Sequence, residues 1–135
     1  MFAITRWTGL SRVADTSFLI ACFDAADPRR DLAFKQLSDP APIIVPPEVL
    51  TETLGVLMAR KGYQVARGVW EDLVSLAHVS LQDSTDSQAI ATLFLGGNTK
   101  LSWVDCSVVW NCRQRGFKAL CFDPALEAAA KNSAR

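Results

Sequence analysis

Four carboxylates in this sequence stand where a strand would hand over to a helix, or a turn into the helix that follows: Asp15, Glu52, Asp105 and Asp123. Taken singly, acids in such places cap helices by accepting N–H groups that the first turn leaves without partners. Gathered together they repel one another and raise each other's pKa, a cost that a divalent cation removes. An all-oxygen set without His or Cys suits Mg²⁺ or Mn²⁺ rather than zinc, and such ions bind phosphates and activate water for in-line attack. The two readings differ in one respect: caps need not converge, whereas ligands must.

The stretch 101–124, LSWVDCSVVWNCRQRGFKALCFDP, carries two of these acids. Ser102 suits an N-cap, and Val104, Asp105, Val108, Val109 and Cys112 then share one face at helical spacing. Ser102-x-x-Asp105 also resembles a capping box with Asp in place of Glu. Gly116 stops the helix, and 118–122 is a short apolar run suited to a strand covered on both faces, with Asp123 at its tip. A helix N-terminus and the carboxyl end of a parallel strand meet at the same edge of an α/β sheet, which is where ligands bind.

The same pattern opens the chain. Arg12, Val13 and Ala14 form a brief strand ending at Asp15, and 16–23 continue as an apolar helix for which Asp15 is a ready N-cap. Asp27-Pro28 begins a helix over 28–37, and 42–45 is a buried strand. Pro46-Pro47 starts a long helix to about Lys61, with Leu50, Leu54, Leu57 and Met58 as its stripe and Gly62 as its stop. Glu48 and Glu52 lie one turn apart beside that stripe. A helix over 63–77 uses Val69, Trp70, Leu73, Val74 and Leu76, and a strand follows over 78–81. Asp83 or Ser84 caps a helix over 85–95, and Pro124 begins a terminal helix. Strands at 12–15, 42–45, 78–81 and 118–122 alternating with helices predict a three-layer α/β/α sandwich around a parallel sheet of four to five short strands.

The 135 residues, half of them hydrophobic, suit one domain, 1–135, in which 1–11 is an N-terminal extension of uncertain role: an edge strand, an arm or a remnant. Fourteen basic and fourteen acidic side chains cancel, so the overall field announces no nucleic-acid partner. The four cysteines sit in apolar runs without a CxxC pair and read as buried free thiols, which fits a reducing cytoplasmic setting. No run approaches the ~20 apolar residues of a membrane span.

With these residues in place, the sequence resembles the PIN-domain ribonucleases, and among them the VapC-like toxins of bacterial toxin–antitoxin pairs. The resemblance is carried by Asp15 in ADTSFLIA, Glu52 in VPPEVLTETL, Asp105 in LSWVDCSVV and Asp123 in ALCFDP, with 37 residues from the first acid to the second and 18 from the third to the last. It spans about residues 12–126. It implies a metal-dependent endoribonuclease in which Asp15, Asp105 and Asp123 ligate Mg²⁺ or Mn²⁺ and Glu52 ligates or positions the attacking water. It further implies that Thr16 and Ser102 support the ligating carboxylates by hydrogen bonds, and it implies a homodimer, an RNA substrate and a small silencing antitoxin. Cys121 departs from the pattern, standing where Thr or Ser is expected, and a thiol is the poorer hydrogen-bond partner. Trp103 and Trp110 are bulky for the helix that carries Asp105.

That departure keeps a second reading open, a PIN-like binding module with weak or no activity. A phosphatase or receiver domain fits less well: the first wants an acid where Ser17 stands, the second a Lys at a late strand end. Glu48 reads as part of a solvated helix face and His78 as a rim or core residue. Arg29, Arg30, Arg60, Lys61, Lys100, Arg113 and Arg115 read as solvated charges that could meet RNA. Trp7 and Trp70 read as core or interface packing residues rather than base-stacking ones.

Overall fold

Four strands of three residues each, β1 (Arg12–Ala14), β2 (Ile43–Val45), β3 (Val79–Leu81) and β4 (Lys118–Leu120), pair in parallel in the order β3-β2-β1-β4. The computed structural model describes residues 11–96 and 100–131. Between and after the strands run seven helices among those residues: α1 (Thr16–Phe23), α2 (Arg30–Ser38), α3 (Pro47–Lys61), α4 (Tyr63–Ser75), α5 (Ser87–Leu95), α6 (Trp103–Arg115) and α7 (Pro124–Lys131). Residues 1–10 of the N-terminal extension, Trp7 among them, lie outside the described residues.

Successive side chains of a strand face opposite ways, so the complete burial of β1 means that helices cover both faces of the sheet. Val13, Phe18, Leu19, Ile43, Leu57, Leu73, Val108 and Leu126 form the centre of one continuous core. This is the expected three-layer sandwich, with four strands rather than five among the described residues. The strands are shorter than the apolar runs suggested. The stretch 121–122 leaves the sheet to bring Asp123 to the start of α7.

Several boundaries move for local reasons. Asp27 accepts the Arg29 N–H (2.8 Å) in a turn of its own, so α2 begins only at Arg30. Asp86, not Asp83 or Ser84, caps α5, accepting the Ala89 N–H at 3.1 Å. The buried stripe of α3 is Val49, Thr53 and Leu57, while Met58 faces out. On α4, Ala66, Val69 and Leu73 are inside, and Trp70 and Val74 are exposed. Gly62 (φ +93°) joins α3 to α4, and Gly116 (φ +70°) closes α6 in the left-handed conformation that L side chains resist.

Two polar devices without any local sequence signal pin this frame. Arg12, buried on β1, donates to the backbone carbonyls of Gln36 (2.7 Å), Asp39 (2.9 Å) and Ala41 (2.6 Å), tying the sheet to the end of α2. Asn111, fully buried on α6, exchanges two amide hydrogen bonds with Gln82 (3.0 and 3.1 Å) just past β3. Asp24, at the end of α1, meets Lys61 (3.3 Å) and Arg60 (3.8 Å) at the end of α3.

Candidate active site

The strand order sets the position of the crevice. From β1 the chain steps through β2 to β3 on one side, and β4 returns to the other side of β1. The direction of winding therefore changes between β1 and β4, and their carboxyl ends open the crevice where α/β sheets take ligands. Asp15 leaves β1 at this point, with its N–H bonded to the Leu120 carbonyl of β4 (3.0 Å). Asp123 follows β4 at the same end.

Asp15 is 5% exposed. It occupies the N-cap position of α1 without the side-chain cap bond expected of it; Ser17 Oγ instead donates to Asp15 Oδ2 at 2.8 Å. Burial pushes the Asp15 pKa up, hydrogen bonds, led by that from the Ser17 hydroxyl, oppose the rise, and the charge of Asp105 adds to it. Thr16, next in sequence, has a buried hydroxyl with no hydrogen-bond partner.

Asp105 comes from the first turn of α6, where the predicted capping box is present in both directions. Ser102 Oγ accepts the Asp105 N–H (3.1 Å), and Asp105 Oδ2 accepts the Ser102 N–H (2.9 Å). Capping and clustering thus coincide in one residue, and Ser102 supports Asp105 directly.

Asp123 is exposed and holds the first turn of α7, with Oδ1 accepting the Ala125 N–H at 2.9 Å. Cys121 links it to the pair: burial raises the thiol pKa to about 11, a hydrogen bond with the Asp123 backbone opposes the rise, and Asp15, Glu127 and Asp123 add to it through their charges. Cys121 is half-buried, unlike the fully buried Cys22, Cys106 and Cys112, so the expectation of four buried thiols fails at the one beside the acids. Its Sγ lies 3.7 Å from the Asp123 carbonyl oxygen.

Glu52 is brought less close. It is exposed on α3 and shares a shallow groove of about 400 Å³ with Pro47, Glu48, Thr51 and Val104, the last of these next to Asp105 in sequence. Glu48 is not the solvated residue expected: Thr85 Oγ1 donates to its Oε2 (2.5 Å), and its Oε1 is buried without a partner. No sequence signal marked Thr85 as its donor.

Among the described residues no three His, Cys, Asp or Glu side chains already form a group that could hold a metal ion. None of the four acids has a Lys or Arg ion-pair partner among those residues either. The buried charge of Asp15, beside a second carboxylate and an unpartnered hydroxyl, is left without a counter-ion, and the donors are the hard oxygens that Mg²⁺ and Mn²⁺ prefer. In chemistry and burial, Asp15 and Asp105 fit such an ion.

The rim carries an organised cation. Arg29 donates through Nε and Nη2 to the Asp27 carboxylate (3.2 Å each) and lies 4.6 Å over the ring of Phe122, the residue before Asp123. His78 is half-buried, a rim or core residue as expected, and its Nε2 bonds the Leu37 carbonyl oxygen at 2.7 Å. Trp70 is 43% exposed, which rules out the core half of the core or interface packing expected of it.

No curated protein matches the chain. Among solved structures it is similar to VapC20 of Mycobacterium tuberculosis, described as a sarcin–ricin loop cleaving toxin. The TM-score is 0.76 and the identity 27%, over 92% of this chain and 98% of that one. The model of the PIN domain family matches residues 12–132, from the first residue of β1 to just beyond α7. The chain belongs to the PIN domain family.

Proposed function

We propose that the protein is a Mg²⁺- or Mn²⁺-dependent endoribonuclease that hydrolyses RNA phosphodiester bonds, the toxin of a toxin–antitoxin pair. The observation that carries this reading is the buried, uncompensated Asp15 carboxylate with Asp105 beside it at the switch point. The likeness to a toxin described as sarcin–ricin loop cleaving supports the substrate class. Asp15, Asp105 and Asp123 would hold the ion, with Glu52 as a further ligand or as the group that orients water. The ion, when bound, supplies charge neutralisation at the phosphate and a lowered pKa for water. The chain's own contribution is placement: Ser102 fixes the Asp105 carboxylate, Ser17 fixes that of Asp15, and the buried Thr16 hydroxyl is free to donate to a group that holds the ion.

The remaining features of this reading are a cytoplasmic setting, a homodimer and a small protein antitoxin. The buried free thiols favour the first. Protein partners have surface available: an apolar groove of about 370 Å³ between α3 and α4 is lined by Leu54, Met58, Tyr63 and Trp70. No helix among the described residues is long and apolar enough to cross a membrane.

A second reading, a PIN-like module that binds without cleaving, draws on Cys121 and on the absence of a preformed three-ligand group among the described residues. Cleavage of a ribosomal RNA fragment with Mn²⁺, with EDTA, and by Asp15→Asn and Asp105→Asn distinguishes the two. The nuclease requires activity that disappears in EDTA and in both variants. Activity that persists in EDTA refutes it. A wild-type protein that neither cleaves nor gains thermal stability from Mn²⁺ is the binding module.

A further inference from the structure

Three arginines among the described residues lie over aromatic rings. Arg30 over Phe34 and Arg115 over Phe117 are close neighbours in the chain, so helix geometry alone accounts for them. Arg29 and Phe122 come from opposite ends of the fold, and Phe122 stands between Cys121 and Asp123 at the crevice. Phe122 in turn meets Phe18, which is fully buried, with ring centroids 6.5 Å apart and planes 30° from one another. Phe18 follows Asp15 by three residues, about one turn along α1. Phe18, Phe122 and Arg29 thus make a column that runs from the core to the surface beside two of the acids, with Arg29 as its outermost member.

Arg29 is held still at that outer end. Its Nε and Nη2 both donate to the Asp27 carboxylate (3.2 Å each), a paired contact that fixes the plane of the guanidinium. Asp27 is fixed in its turn: its Oδ1 also accepts the Arg29 N–H (2.8 Å), and its side chain is only 10% exposed. The Arg29 side chain, by contrast, is 44% exposed. Ordering so long a side chain at the surface costs conformational entropy, and a solvated ion pair with one exposed cation–π contact returns little more than that cost. Fold stability therefore gains little from the arrangement, whereas a ligand would find the side chain already in place. A groove of about 810 Å³ that Phe122 lines adjoins the column, so there is room for a ligand beside it.

We propose that the outer face of Arg29 is a platform on which the base of a nucleotide flanking the cut bond stacks. The platform presupposes the proposed endoribonuclease and adds a contact within that same site. A guanidinium plane stacks on any nucleobase, as an aromatic ring does, and a plane already fixed by Asp27 loses little freedom when the base arrives. A phosphate is the poorer occupant. For a paired contact it would want the Nε–Nη2 edge, which Asp27 fills, and it would stand near the carboxylates of Asp27 and Asp123. A carboxylate from a protein partner is disfavoured on the same two grounds. Stacking reads no hydrogen-bonding edge of the base, so the platform sets the strand in register with the acids without selecting a sequence.

The test is a cycle between side chain and base. The cut in the ribosomal RNA fragment is mapped with the wild-type protein and Mn²⁺, and a single abasic nucleotide is then placed at each of the two positions on either side of it. On the intact fragment, Arg29→Ala should lower kcat/KM about tenfold, within the range of one stacked base. Arg29→Lys keeps the charge but not the plane; it should do the same, and it carries the test if Arg29→Ala does not fold. At one abasic position the wild type should lose a similar factor, and the variants should lose nothing further. The slope of log kcat/KM against log salt should stay at the wild-type value, whereas loss of one phosphate contact would make it shallower by about 0.7. Equal losses by the variants on intact and abasic RNA at every position would mean that Arg29 acts through the fold or a phosphate, and the platform fails. It fails too if Arg29→Lys cuts as well as the wild type, or if the salt slope becomes shallower. A wild type that leaves the fragment uncut overturns the endoribonuclease and the platform together, whereas a cutting wild type matched by Arg29→Ala overturns the platform alone.

Discussion

Asp105, from the first turn of α6, lies close enough to Asp15, at the end of β1, for its charge to reinforce the rise that burial imposes on the Asp15 pKa. Two acids far apart in sequence are thus brought into electrostatic contact across the crevice between β1 and β4, and neither has a Lys or Arg ion-pair partner among the described residues.

The metal-free protein should therefore be stabilised by Asp15→Asn. A carboxyl whose pKa is higher folded than unfolded contributes no penalty below the ordinary carboxylate value, near pH ~3.9. The penalty develops as pH rises and is complete above the raised folded value. Melting curves of the metal-free wild type and variant should coincide in acid and separate toward neutrality, with the variant higher. A variant lower at pH 7 would mean that Asp15 serves the fold through its contacts.

Ser102 and Asp105 separate capping from charge. Ser102→Ala removes one side of the capping box and should cost about 1 kcal/mol of stability by denaturant melts. Asp105→Asn keeps an oxygen to accept the Ser102 N–H, so stability should change little. Its effect should appear at Asp15, whose pKa, followed by carboxyl NMR, should fall when the neighbouring charge is removed. An unmoved Asp15 titration would show that the two carboxyls do not interact.

Much of this arrangement was legible in the sequence because it is written locally. Ser102, Asp105 and Gly116 announce α6, Pro47 announces α3, and the acids after β1 and β4 follow from strand and helix order alone. What was missed depends on partners distant in the chain. Glu48 reads as a surface acid until Thr85 is placed against it, and Arg12 reads as an oddity in a strand until three carbonyls surround it. Met58 and Trp70 illustrate the opposite failure: periodicity marks a stripe as apolar, but the angle at which α3 and α4 pack decides which residues of that stripe are covered.

The Gln82–Asn111 pair should prove costly to break singly. Asn111→Ala strands the Gln82 amide at the end of β3 and opens a space in a fully buried position, for a loss of about 1–3 kcal/mol. The double variant Asn111→Leu with Gln82→Leu removes both polar groups and should recover part of that loss. A double variant no more stable than the single one would show that the pair is not coupled.

Glu48 and Glu52, one turn apart on α3, should respond oppositely to the same chemical change. Glu52 is exposed, so Glu52→Gln should leave stability within about 0.5 kcal/mol while lowering kcat for RNA cleavage, as expected of a group that ligates the ion or orients water. Glu48→Gln can still accept from Thr85, but its amide nitrogen would occupy the buried position where Oε1 has no partner. That substitution should cost about 1–3 kcal/mol and leave kcat near the wild-type value. Urea melts and single-turnover cleavage on the two variants measure both quantities. If Glu48→Gln instead abolishes cleavage at unchanged stability, the buried Oε1 belongs to the ion, and Glu48 rather than Glu52 completes the acidic set.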